Sequence, residues 1–234
     1  MAAPNIKPVV LYGLLSCPNP IKVAIILDFL GIPFEQRGKE FTDCKQPDQL
    51  ALNPNGRAPT LIDPNTGITL WESGAIIEYL VETYDTENTI SFSTFPEKHQ
   101  LKQWLYFQAS GQGPYFGQLV WFSWYHGEIL DSAIERYDNE VRRVLGVLDL
   151  ALKDKDWLVG DRMSCADLAL VPWFYWAANI QGKEYWSHIE SELPHFYKWW
   201  DKLRNLEVVK KLCDGIGGPN LQFARQDVRD KFKV

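Results

Sequence analysis

The sequence predicts two successive units, an α/β domain followed by an all-α domain. Three observations carry this reading. The hydrophobic period switches repeatedly over residues 7–85, it is helical almost throughout from Glu97 to about Cys213, and a polar stretch lies between the two. A chain of 234 residues has room for one large domain or two small ones, at roughly 100–200 residues per domain.

In the first unit Pro8–Tyr12 is a short apolar strand, and Ile21–Leu30 is a helix whose apolar residues recur at three and four. Phe34–Phe41 reads as a second strand, with an irregular or helical piece after it. Thr60–Ile62 and Ile68–Leu70 flank Asp63-Pro64-Asn65-Thr66-Gly67, whose Pro, Asn and Gly suit a hairpin turn. A last helix runs from about Ser73 to Tyr84. The first domain is therefore 1–85, with a polar linker at 86–96. Across the helical domain, 97–214, Leu101, Leu105 and Gln108 begin one helix, while Ile134, Val141, Val144, Leu148 and Leu152 mark a long one. The tail, 215–234, holds Gly217-Gly218-Pro219 and alternating charges and reads as an irregular or partly disordered wrap.

Composition excludes several classes. Hydrophobic residues make up 46% and charged ones 23%, which suits a folded core. A net charge of −6 argues against a protein built to grip nucleic acid or anionic membrane, so neither is an expected partner. The start, MAAPNIKPVV, has no apolar run of about 7–15 residues behind a basic segment, as a signal peptide needs. Val23–Leu30 and Leu168–Ile180 are too short or too interrupted to cross a bilayer. Cys17, Cys44, Cys165 and Cys213 form no Cys-x-x-Cys pair and no His cluster accompanies them. No metal site is expected, and a cytoplasmic location is.

Four motifs carry possible chemistry. Ser16-Cys17-Pro18-Asn19-Pro20 lies between the first strand and the first helix, where Asn is a favoured N-cap and Pro a favoured first helical residue. Such an end presents unpaired N–H groups and partial positive charge, which stabilise an anion, a thiolate included. Cys17 lies just before it, where a thiol pKa is lowered. Asn53-Pro54-Asn55-Gly56-Arg57-Ala58-Pro59-Thr60 is either a plain turn or a loop whose cis Ala58–Pro59 bond leaves the Ala58 main chain open to an extended peptide ligand.

Trp71-Glu72-Ser73-Gly74-Ala75 opens the last helix of the first domain. Ser73 as N-cap and Glu72 near the positive end are a sufficient structural account; functionally, the pair could hold a carboxylate and an ammonium. Gly160-Asp161-Arg162-Met163-Ser164-Cys165-Ala166-Asp167 is a capping box with a structural role only. Aromatic residues reach 14%, with 10 Trp, and they crowd the stretch from Trp104 to Tyr125 beyond what one helical face can pack. Of these, Tyr115, Phe116, Trp121, Trp124 and Tyr125 are expected to line an apolar cleft.

Together these motifs resemble the cytosolic glutathione transferase family, from about Val9 to Leu212. Ser16-x-Pro18-Asn19, Asn53–Pro59 and Leu70-Trp71-Glu72-Ser73-Gly74-Ala75-Ile76 resemble its fungal, nu-class-like branch related to the yeast prion-forming nitrogen regulator. Trp104-Leu105-x-Phe107-Gln108-x-Ser110-Gly111 and Glu135-Arg136-Tyr137-x-x-Glu140-Val141-Arg142-Arg143-Val144 share that likeness. The regulator's Asn/Gln-rich leader is not among these residues, and prion behaviour is not expected.

The resemblance implies a thioredoxin-like domain that holds glutathione as co-substrate, a helical domain that supplies most of the acceptor pocket, and a homodimer. It implies no metal. Ala58, beside cis Pro59, would pair its backbone with the cysteinyl unit. Glu72 and Ser73 would bind the γ-glutamyl end, Lys45 would meet the glycyl carboxylate, and Arg57 joins the same set. Asn19 is first choice to donate to the sulfur and Ser16 second; neither removes a proton at neutral pH, so the role is electrostatic.

The implied reaction is attack of the glutathione thiolate on an apolar, aromatic or polyketide-like electrophile, in detoxification or fungal secondary metabolism. Glutathione could also be recycled in an isomerisation or elimination. Cys17-Pro18 equally resembles the start of omega-type transferases and glutaredoxins, which makes a glutathione-dependent thiol–disulfide oxidoreductase or peroxidase using Cys17 the alternative. A third reading is a non-catalytic glutathione-binding regulator or carrier. The acceptor's identity stays open.

Overall fold

A computed structural model of the chain describes residues 6–38, 40, 42–213, 216 and 222–232. The readings of the first five residues, of the strand end at Phe41 and of Gly217-Gly218-Pro219 lie outside the described residues.

The first domain runs β1 (Val9–Tyr12), α1 (Pro18–Phe29), β2 (Phe34–Arg37), a 3-10 turn at Asp43–Lys45, α2 (Pro47–Leu52), β3 (Thr60–Asp63), β4 (Ile68–Trp71) and α3 (Ser73–Tyr84). The sheet order is β2-β1-β3-β4; β1 is parallel to β2, and β3 is antiparallel to both of its neighbours. Val10 lies opposite Glu35 and Ile62, and Thr60 opposite Trp71. The outer strands β2 and β4 alternate between half-buried and exposed residues, as one-sided edge strands do.

The expected single apolar face on α1 is exceeded. Pro18 and every residue from Pro20 to Leu27 is buried, because α1 packs against β1 and α3 on one side and against α7 and α10 on the other. A helix apolar all round belongs in a core, and this one is the seam between the domains.

The second domain contains α4 (Glu97–Phe107), α5 (Gly113–Val120), α6 (Asp131–Ala151), α7 (Cys165–Ser187), α8 (Ile189–Glu192), α9 (Pro194–Arg204), α10 (Glu207–Cys213) and α11 (Gln226–Phe232). Two π turns, Gln108–Gln112 and Trp121–Tyr125, flank α5. Each inserts a residue into the helical ladder and so rotates the residues after it. This divides the aromatic run among several directions: Phe116 and Trp124 turn inward, while Trp121 is half exposed. The expected irregular tail instead carries α11 in its described part. Among the described residues no helix is long and apolar enough to cross a membrane.

Two buried carboxylates organise the joints. Asp85 ends α3 and accepts from Thr89 N–H, Thr89 Oγ, Ile90 N–H and Ser91 Oγ at 2.6–3.0 Å, which fastens the polar stretch between the domains. Asp167 closes the start of α7 as the capping box predicts. It accepts from Ser164 N–H (2.8 Å), Ser164 Oγ (3.0 Å), Leu158 N–H (3.0 Å) and the Trp199 indole (2.8 Å).

Candidate functional site

Between the domains lies a cavity of about 640 Å³. Its polar end comes from the first domain, where Lys45, Asn53, Arg57, Ala58 and Thr60 face it. Its apolar end comes from the second, with Val120, Trp121, Tyr125, Trp173 and Trp176. Cys17, Pro18, Asn19 and Pro20, at the start of α1, stand where the two ends meet.

The polar end is built by the loop that precedes β3. Asn53 is buried and its side-chain amide donates to Arg57 O (2.7 Å) and Thr60 Oγ1 (3.0 Å), so one residue folds the turn from inside. Gly56 sits at φ +58, and a Cβ there would come within 2.9 Å of Lys45 Nζ. A side chain at this position would push the lysine from the cavity wall. The Ala58–Pro59 bond is cis, as is Phe95–Pro96, which no sequence signal had marked.

Glu72 and Ser73 are not part of the lining. Glu72, not Ser73, takes the cap position of α3, with φ 69 and ψ 111, and Ser73 is the buried first helical residue. A positive φ at a non-glycine residue costs about 1–3 kcal/mol and persists where surroundings impose it. The Glu72 carboxylate accepts from Asn55 Nδ2 at 3.4 Å, and Lys45 Nζ donates to Asn55 O at 3.4 Å, so an exposed polar chain links Glu72 to the cavity wall. Pro59 and Ser16 also lie outside the lining.

The start of α1 departs from expectation in three respects. The cap position belongs to Cys17 rather than Asn19, with Pro18, Asn19 and Pro20 all in the first turn and no side chain capping it. The two prolines carry no N–H, Cys17 N–H is taken by Leu14 O, and Ile21 N–H by Cys17 O. Among the described residues, Asn19 N–H is then the one main-chain donor of that turn without a partner, a smaller set than an ordinary helix end offers. Third, the Cys17 thiol is not lowered. Burial pushes it up to about 12; a hydrogen bond from Ser16 opposes the rise and the nearby Cys44 thiol adds to it. Desolvation outweighs so depleted a helix end.

Of the expected aromatic lining, Trp121 and Tyr125 face the cavity and Tyr115, Phe116 and Trp124 do not. Phe116 is buried against Phe174, with ring centroids 5.9 Å apart, and Trp124 packs behind Trp176 at 5.5 Å. Tyr115 lies beside Tyr137, under the Arg143 guanidinium. The wall is completed by two indoles that sequence reading passed over, Trp173 and Trp176 of α7. Their N–H groups donate to Asn19 Oδ1 (3.3 Å) and Ser16 O (3.1 Å). The available signal was an indole pair three apart in an apolar helix, since a buried indole N–H needs an acceptor.

Phe223, from the tail, is the last aromatic residue of the lining. Its segment is anchored by Arg225, whose N–H donates to Trp124 O (2.9 Å) and whose guanidinium reaches Ser123 O (3.2 Å), His126 O (3.2 Å) and Phe122 O (3.4 Å). These are the carbonyls that the second π turn leaves open. Lys22 was also missed. It is fully buried on α1, donates to Gln108 Oε1 of the first π turn, and burial pulls its ammonium down to about 7, with Glu72 opposing. Gln108 donates in turn to Gln112, and Gln112 to Leu170 O. Among the described residues no group of three His, Cys, Asp or Glu could hold a metal ion.

Comparison with known proteins identifies the family. The glutathione S-transferase N-terminal domain model matches residues 7–82 and the C-terminal domain model residues 114–207. The glutathione S-transferase-like protein gedE of Aspergillus terreus is 48% identical over 212 residues, 86% of this chain and 93% of that protein. Glutathione S-transferase 2 of Schizosaccharomyces pombe is 43% identical over 212 residues, covering 86% and 92%. Among solved structures, the glutathione transferase URE2P6 from Phanerochaete chrysosporium, in complex with oxidized glutathione, has a TM-score of 0.84 at 44% identity, covering 89% of this chain and 96% of that one. Ure2p in complex with glutathione has a TM-score of 0.81 at 35% identity, covering 88% and 99%. With both domains matched and relatives alike along nearly their whole length, the chain belongs to the glutathione S-transferase family, alongside its fungal Ure2p-like members.

Proposed function

We propose that this transferase ionises the glutathione thiol beside Asn19 and presents the thiolate to a flat, apolar electrophile, aromatic or polyketide-like, in detoxification or a dedicated biosynthetic step. The observation that carries the reading is the continuity of the cavity. A polar end suited to a peptide opens directly into an aromatic end, and Asn19 stands at the junction. In this reading the Ala58 main chain pairs with the cysteinyl unit, Lys45 and Arg57 offer cations to the glycyl carboxylate, and Glu72 with Ser73 takes the γ-glutamyl end. The sulfur then forms a bond to the electrophilic carbon, and the displaced group, or the electron pair of an acceptor double bond, takes up the charge.

The energy required is modest. A free thiol of pKa about 8.5 is mostly protonated at neutral pH, and lowering it by roughly two units makes the thiolate the major form. Two units correspond to about 2.7 kcal/mol. A hydrogen bond to a charged acceptor contributes about 1.5–3 kcal/mol, so Asn19 Nδ2 with the unpaired Asn19 N–H is sufficient.

The alternative of thiol–disulfide exchange at Cys17 is weakened by the raised thiol, which leaves little thiolate at neutral pH. URE2P6 was solved with oxidized glutathione. Any disulfide chemistry here would then run on the sulfur of bound glutathione rather than on Cys17. We also infer a cytoplasmic homodimer; the exposed aromatic residues Trp71, Phe95 and Tyr106 support a partner surface, and sedimentation equilibrium tests it.

The deciding experiment is the ultraviolet difference spectrum of the protein with glutathione across a pH series. A thiolate band with a midpoint well below that of free glutathione is expected. Saturable binding without such a band would overturn the transferase reading in favour of a regulator or carrier.

A further inference from the structure

The two domains meet at the cavity through a bond whose polarity is chemically forced. Trp173 Nε1 lies 3.3 Å from Asn19 Oδ1, across 154 positions of sequence. An indole N–H only donates, so the Asn19 atom that faces it has to be the carboxamide oxygen. Nδ2 is then turned away from the indole, and among the described residues it has no partner. An unrestrained carboxamide could offer either end to a neighbouring sulfur. The oxygen would repel a thiolate, whereas the NH2 would hold it.

We infer that Trp173 is a positioning residue for the reaction: its indole N–H fixes the Asn19 carboxamide so that Nδ2 donates to the glutathione sulfur. This rests on the role proposed for Asn19 above. The indole is itself held in place. It is 8% exposed, and α5 offers it two glycines: a Cβ on Gly117 would lie 3.4 Å from Trp173 Cη2, and one on Gly113 3.4 Å from Trp173 Nε1. Trp176, three residues further along α7, donates to Ser16 O at 3.1 Å. The loop before α1 is thereby pinned on the same side, and the helical domain contributes to thiol activation as well as to the acceptor wall.

Trp173→Phe tests the inference: it removes the N–H and keeps an aromatic ring on α7, and the loss of the benzo atoms against Gly117 is controlled for by the Asn19→Ala background below. The glutathione thiolate midpoint should rise by about one pH unit, from about 6.5 to about 7.5, a roughly threefold loss of thiolate at neutral pH, with the KM for glutathione held. Asn19→Asp should raise it too, since aspartate still accepts from the indole but cannot donate to sulfur. In the Asn19→Ala background, Trp173→Phe should add nothing to the midpoint, which a merely structural role for the ring would not produce. A normal midpoint in Trp173→Phe alongside a raised one in Asn19→Ala would overturn the positioning role and leave Asn19 in place. A normal midpoint in Asn19→Ala would overturn the Asn19 reading itself. Should Trp173→Phe fail to fold, the indole 15N–H resonance of Trp173 serves instead: Asn19→Ala should shift it, and an unmoved resonance would overturn the inference.

Discussion

The starts of α1 and α7 are built from similar materials and end in opposite states. Each has an extended residue at the cap, Cys17 at φ −100 and ψ 138, Ser164 at φ −134 and ψ 172. At α7 the local donors are answered mostly from within the protein, Cys165 N–H by Ile90 O and the N–H groups of Asp167 and Leu168 by Ser164 O. Asp167, fully buried, collects Ser164, Leu158 and Trp199, and burial raises its pKa even against those hydrogen bonds. At α1 no side chain caps the helix, two prolines delete donors, and the remaining N–H of the turn belongs to Asn19 at the cavity. A helix start knitted to a buried carboxylate and to neighbouring carbonyls holds the fold together. One that is pared down to a single residue's donors has something left for a ligand.

The largest effect should come from breaking the closed start. Asp167→Ala strands the Leu158 N–H, the Ser164 N–H and the Trp199 indole in the core, and at roughly 1 kcal/mol or more for each it should cost about 4 kcal/mol in stability. Thermal unfolding would show this as a large drop in midpoint, while the thiolate midpoint of the folded fraction stays put. A loss below about 1 kcal/mol would erase the distinction between the two helix starts.

Lys22, one turn into α1, sharpens the contrast through pH. Its ammonium is ordinary in the unfolded chain, near 10.5, and pulled down to about 7 by burial in the folded one. Between those values the unfolded state binds more protons, so stability rises with pH across that window; below about pH 7 the full burial penalty is present. Lys22→Met should therefore gain stability relative to the parent at pH 6 and lose that advantage towards pH 10. Parallel pH–stability curves for the two proteins would contradict the buried charge.

Beyond α5, Arg225 closes the carbonyls of the second π turn as Asp167 closes the donors of α7. Arg225→Ala should release the segment that carries Phe223. A lost contact worth about 1 kcal/mol corresponds to a roughly fivefold rise in acceptor KM, with the KM for glutathione unchanged. Equal rises in both constants would argue that the tail supports the whole cavity rather than its apolar wall. The smallest effect is expected at Cys17. Its raised thiol is neutral at pH 7, so Cys17→Ser should alter conjugation by less than about twofold. A loss as large as that of Asn19→Ala would tell against the assignment of Asn19 and favour the alternative reading, thiol–disulfide exchange at Cys17.

Much of this molecule is legible residue by residue. α3 occupies Ser73–Tyr84 as its periodicity predicts, the hairpin turns at Asp63–Gly67, and the Ser164–Asp167 box caps α7. All three depend on neighbours within one or two turns of chain, and local sequence carries that information. The order of motifs likewise resembles the family to which both domain models assign the chain. The aromatic lining was only partly legible, because two π turns rotate the helix after Phe107 and Val120 and no composition rule counts such insertions.

The amino-acid sequence by itself determined the two-domain order, the four strands and the first and last helices of the first domain, and the presence of an Asn, a Cys and two prolines at the mouth of α1. The tertiary structure alone decided what those residues are. Packing α7 across α1 brings Trp173 to the Asn19 oxygen, and desolvation at the half-buried Cys17 raises its thiol instead of lowering it. Desolvation depends on everything that surrounds an atom, and the bond to Asn19 closes over 154 positions of chain, so neither could be read from the pentapeptide in which both residues stand.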